Sequence, residues 1–141
     1  MSFITTATRL ILAFLLGSVL GLEREKKGVS AGLRTHILVC MGSTLIMLTS
    51  IYIFEAYKGS ATVDPARIAA GVVTGIGFLG AGTIIRSSEG IRGLTTAASI
   101  WISSAIGLAV GCGYISAALI TTLISYLSLS FLKKLEKELN K

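Results

Sequence analysis

The sequence predicts an all-α fold, a polytopic transmembrane bundle of five helices, and three observations predict it. Apolar residues fill 52% of the 141 positions and charged ones only 14%, whereas soluble domains carry charge on roughly 25%. The mean hydropathy is +0.80, so lipid is the expected solvent. Sixteen glycines against one proline suit membrane helices, which approach one another closely at small residues. Such a composition excludes a disordered chain. The net charge of +6 does not point to nucleic acid, because the basic residues stand in short clusters between long apolar runs. That pattern orients membrane proteins.

A span needs about 20 mostly apolar residues. The first candidate runs from Phe3 to Leu22 and contains Arg9, which is expected to snorkel outward. The second runs from Ile37 to Phe54 and the third from Ile68 to Ile85. From Gly93 to Leu132 come forty residues without a formal charge, about twice the reach needed to cross a bilayer core at ~1.5 Å per residue. They must fold back, and Gly111, Cys112 and Gly113 are the natural turn, giving helices four and five. Trp101 then falls mid-span and is expected to be a packing residue. The organisation predicted is one membrane domain, residues 1–132, and a basic cytoplasmic tail, residues 133–141. No secretory signal is expected, because no basic segment precedes the first apolar run.

Lysine and arginine set the expected orientation. Arg24, Lys26, Lys27 and Arg34 follow helix one, Arg86 and Arg92 follow helix three, and Lys133, Lys134, Lys137 and Lys141 close the chain. Lys58, Arg67 and Arg9 are the opposing set. The N-terminus is therefore expected outside and the C-terminus in the cytoplasm.

Small residues recur at a spacing of four: Ala13, Gly17 and Gly21; Gly71 and Gly75; Ser99, Ser103, Gly107 and Gly111. Ridges of this kind let helices pack closely, and several such faces on so small a bundle predict a homo-oligomer. Gly75, Gly77 and Gly80 also spell a dinucleotide fingerprint. That motif needs a strand before it and an acidic residue about 20 positions later, so packing is the better reading here.

Asp64 and Pro65 are placed to cap helix three; the alternative pairs Asp64 with Glu55 around a cation. His36 is the only histidine, which excludes a multi-histidine metal site within one chain, and no third group has the spacing of a catalytic triad. No enzymatic activity, metal or cofactor is expected. Cys40 and Cys112 fall at opposite ends of the bundle and should not pair. Every acidic residue lies in a flank or loop, which weakens an ion pathway through the membrane. Thr95, Thr96, Ser99, Ser103 and Ser104 suit interhelical hydrogen bonding better than a polar path. Glu23, Arg24, Glu25, Arg34 and His36, with Arg86, Glu89 and Arg92, gather mixed charge at the cytoplasmic helix ends. Anchoring alone would need no acids, so a paired network or docking surface is the sharper reading.

At these residues the chain becomes recognisable. Gly21-Leu22-Glu23-Arg24-Glu25, Ala31-Gly32-Leu33-Arg34-Thr35-His36, Asp64-Pro65-Ala66-Arg67, Gly75-Ile76-Gly77-Phe78-Leu79-Gly80-Ala81-Gly82 and Arg92-Gly93-Leu94-Thr95-Thr96-Ala97-Ala98-Ser99 resemble the MgtC/SapB family in order and spacing. The resemblance implies a bacterial inner-membrane protein linked to survival in low magnesium and, in some pathogens, to growth inside macrophages. Its members look like regulators, including of the F-type ATP synthase, more than like the magnesium transporter that is the alternative. The chain is expected to be a short form without the soluble C-terminal domain of longer members. The residues singled out are a functional cluster of Glu23, Arg24, Glu25, Arg34, His36 and Arg92, and an opposite-side motif of Asp64 and Arg67. Gly71, Gly75, Gly77, Gly80, Gly82, Thr95, Thr96 and Ser99 are expected to serve helix packing.

Overall fold

The structure, a computed structural model, describes residues 1–59, 63–88 and 90–132. The basic tail and Glu89 lie outside these residues. Within them five helices run up and down: α1 (Phe3–Lys26), α2 (Leu33–Tyr57), α3 (Pro65–Ala81), α4 (Leu94–Cys112) and α5 (Ile115–Leu127), which continues as a π-helical turn over Ser128–Leu132. Of these, α1, α2 and α4 are long and apolar enough to cross a membrane, while α3 and α5 are shorter apolar helices. Helices α1, α2 and α4 form the centre, α3 packs on α2 and α4, and α5 packs on α4 and α1.

The ridges read from sequence explain the centre. A Cβ on Gly17 would stand 2.9 Å from the His36 carbonyl oxygen, and one on Gly21 would stand 2.8 Å from the Leu33 Cα, so α1 and α2 touch through backbone. Gly107 and Gly111 do the same for α4: a Cβ on the first would strike the Cys40 carbonyl, and one on the second would lie 2.6 Å from the Met47 Cβ. At that approach the Thr44 hydroxyl donates to the Gly107 carbonyl at 2.8 Å. Ala13, Leu16, Leu20, Cys40, Ile106 and Val110 fill the space between.

The helix ends follow local chemistry. Ser2 caps α1 through the Thr5 amide, and Asp64 caps α3 by accepting from the Ala66 amide at 2.8 Å, with Pro65 first in the helix. Asp64 is thus accounted for as a cap. Gly113, at φ +91°, ends α4 in the left-handed conformation and makes the expected reversal, whereas Gly111 is helical and serves packing.

Three expectations need correction. Helix three stops at Ala81, not Ile85, and a hairpin of β1 (Ile85–Ser87) and β2 (Gly90–Arg92) follows. Gly82 and Thr83 terminate it, the Thr83 hydroxyl donating to the Gly80 carbonyl at 2.8 Å. Trp101 is 46% exposed, on the outside of α4 and not in the core. Arg9 does not simply reach for solvent: it is part-buried, and its Nη1 donates to the Gly111 carbonyl at 2.6 Å, across the end of α4.

Candidate functional site: a buried charge cluster

At the end of the bundle that carries the α1–α2 loop and the hairpin, the last turn of α1 meets the first turns of α2 and α4. Glu23 and Arg24 are only 6% and 5% exposed there, although they stand where charge ordinarily reaches water. Helix periodicity turns both inward. Lys27, one turn after Glu23, pairs with its carboxylate, and the Arg24 guanidinium lies 3.8 Å from the other oxygen. Arg24 Nη2 reaches across to the Thr96 hydroxyl of α4 at 3.4 Å.

His36 sits fully buried beside this pair. Its Nδ1 lies 2.8 Å from the Gly32 carbonyl, and that acceptor fixes the proton on Nδ1. Nε2 then faces the Ser99 hydroxyl at 3.1 Å, and Ser99 also lies 2.8 Å from the Thr96 carbonyl. One hydroxyl proton serves two acceptors. The arrangement has a base beside a hydroxyl, yet Ser99 is 2% exposed and bound within its own helix, which suits a structural tie better than a nucleophile.

The polar groups are incompletely matched. Neither Glu23 oxygen accepts a well-formed hydrogen bond among the described residues, and Arg24 Nε and Ser103 Oγ are likewise buried without one. Buried polar atoms in this condition are uncommon in folded proteins.

Of the cluster expected from sequence, the structure brings together Glu23, Arg24 and His36, with Thr96 and Ser99 as their partners on α4. Glu25 stands apart and caps α2, its carboxylate accepting from the Leu33 amide at 2.8 Å. Arg34 is exposed, and Arg92 is exposed at the foot of the hairpin. Thr95 is exposed. Lys27 is the member that sequence reasoning missed, and the signal was its position four residues after Glu23 on one helix. On α3, Gly80 meets Ala97 at ordinary contact distance, and Gly82 lies in the capping turn. Gly71, Gly75 and Gly77 face open space. Asp64 and Arg67 lie at the start of the same helix, both exposed. Among the described residues no three His, Cys, Asp or Glu side chains gather as a metal site would require.

Fold and site together define a helical membrane protein with a charge cluster locked between three helix ends. The chain belongs to the MgtC family, whose model matches residues 10–138. It is 51% identical over 107 residues to the protein named putative magnesium transporter YhiD of Escherichia coli K12, covering 74% of this chain and 50% of that one. It is 41% identical to protein SrpB of Synechococcus elongatus, over 92% of this chain and 75% of that one. Protein MgtC of Brucella abortus is 44% identical, over 83% of this chain and 47% of that one. The chain thus spans about half the length of YhiD and MgtC. No solved structure matches it.

Proposed function

We propose that this chain is a multi-pass protein of the bacterial inner membrane that regulates by binding another membrane protein, in adaptation to low magnesium and, in pathogens, in virulence. The observation that carries this reading is the outer face of α3. A Cβ added at Gly71 or Gly75 would meet nothing within 4 Å, and Phe78 on the same side is 82% exposed. Glycine costs helix stability, and lipid packs as well on a larger side chain. A second helix gains by approaching bare backbone. The occupant is therefore a transmembrane helix of the partner, and an F-type ATP synthase subunit is the partner the family resemblance suggests. The buried charge cluster, in this reading, fixes α2 and α4, the two helices against which α3 rests.

Replacing Gly71 and Gly75 with Leu tests the reading, because both side chains enter free space. The variants should reach the membrane at normal level and unfold at the wild-type temperature, yet grow in low magnesium no better than a strain lacking the protein. A cysteine at Gly75 should crosslink to a different protein; crosslinking only to itself would make α3 the homo-oligomer face. The transporter reading draws on the name of the E. coli relative and on the buried Glu23 carboxylate. Magnesium flux into liposomes that falls in Glu23→Gln, with full growth of the α3 variants, would replace the regulatory reading.

A further inference from the structure

Beside the charge cluster, on its outer side, a groove of about 520 Å³ opens between α1 and the end of α5, a size within the usual range for small-ligand sites of roughly 300–1,000 Å³. Its floor on α1 is apolar, Val19 and Leu22, and Phe131 stands at its upper rim beyond the level of Lys27, all three left exposed by the bundle. Its mouth is polar, with Lys26, Lys27 and Ser130, while Glu23 and Tyr126 line it about one turn deeper. The π-helical turn over Ser128–Leu132 sets the far wall, and Lys27 spans the gap to donate to the Leu129 carbonyl. The groove is thus tied across its top by the same lysine that pairs with Glu23.

Charge and hydrogen-bonding capacity describe the occupant. Glu23 is answered by Arg24 and Lys27, which leaves three cations, with Lys26, to one carboxylate. Lys26 is exposed and makes no ion pair with any described residue, and the Tyr126 and Ser130 hydroxyls make no hydrogen bond to one. An ammonium and a free hydroxyl above an apolar trough match a phosphodiester above a hydrocarbon chain. Their depth agrees, since Lys26 ends a helix long and apolar enough to span, where headgroups lie. Basic pockets between helices at this level bind anionic headgroups.

We propose that this groove is a binding site for an anionic phospholipid. Its phosphate is held by Lys26 with Ser130, and one acyl chain runs down past Tyr126 along Leu22 and Val19. The site is independent of the partner proposed for α3, which lies on another helix, and its test involves neither partner nor growth.

The full chain, purified in zwitterionic micelles, would be titrated with phosphatidylglycerol, phosphatidylcholine or inorganic phosphate while its thermal unfolding is followed. Phosphatidylglycerol should raise Tm saturably, and the other two should not. Lys26→Gln, and Val19→Trp, which fills the trough, should each raise the half-saturating lipid concentration at least tenfold. Both substitutions are at exposed positions, and the lipid-free Tm of each variant verifies its fold. Equal stabilisation by phosphatidylcholine would overturn the proposal, as would wild-type titration of both variants. Equal stabilisation by inorganic phosphate would make the site one for small anions and overturn the lipid assignment.

Discussion

Arg9 shows what a single side chain contributes. Its guanidinium sits at the C-terminal end of α4, where unpaired carbonyls concentrate negative charge, and it donates to the Gly111 carbonyl at 2.6 Å. A charge-assisted bond of this kind contributes about 1.5–3 kcal/mol. Arg9→Leu is therefore expected to lower stability by about 2 kcal/mol, read as a fall in unfolding free energy in micelles, with Arg9→Lys between it and wild type. Unchanged stability in Arg9→Leu would return Arg9 to the role of a solvent-seeking anchor. The sequence shows a charge near the start of a span and nothing about what meets it, because the acceptor is 102 residues away. Glu23 and Lys27 are different: their partnership is local, four residues apart on one helix, and legible from spacing alone. The tie of His36 to Ser99 spans 63 residues, so the composition of the cluster is readable in part and its closure is not.

Among elements, the helices are the readable part, since each is a run of apolar residues bounded by charge, proline or glycine. Asp64-Pro65 announces the start of α3 through capping chemistry alone. Its end is easily misplaced, because a search for uncharged residues runs straight through Gly82 and Thr83, which stop the helix by hydrogen bonding and not by charge. The hairpin leaves no trace either: its strands hold three residues each, too few for an alternating pattern, and Ile85 faces Arg92 while Arg86 faces Ile91. Gly93 closes it at φ +91°, where a Cβ would also run into the Thr83 carbonyl. Gly28 has φ +63° and open space around it. Gly28→Ala should therefore cost only the left-handed backbone penalty, about 1–2 kcal/mol, and Gly93→Ala clearly more. Equal losses in the two unfolding titrations would mean that the hairpin moves aside freely.

For the whole molecule, the distribution of basic residues predicts that the hairpin end lies in the cytoplasm and the Gly113 turn outside. Cys112 is exposed at that turn and Cys40 is fully buried. Cys40 would stay silent toward a thiol reagent in either orientation, so it cannot serve as the inside reporter, and exposed Ser30 in the α1–α2 loop can. An impermeant maleimide added to intact cells should label Cys112. In a Ser30→Cys variant with Cys112→Ser it should label only after the cells are opened; labelling of Ser30→Cys from outside would invert the topology.

The same pair of thiols has a use beyond topology. With Cys40 sealed among α1, α2 and α4, the wild-type chain presents a single reactive thiol at one fixed corner of the bundle. A spin label attached there needs no mutagenesis, and a dipolar spectrum of the labelled protein in lipid measures the spacing between copies directly. One sharp distance would define a symmetric pair or triangle, two would define a larger ring, and a featureless decay would describe a chain that stands alone until its partner arrives.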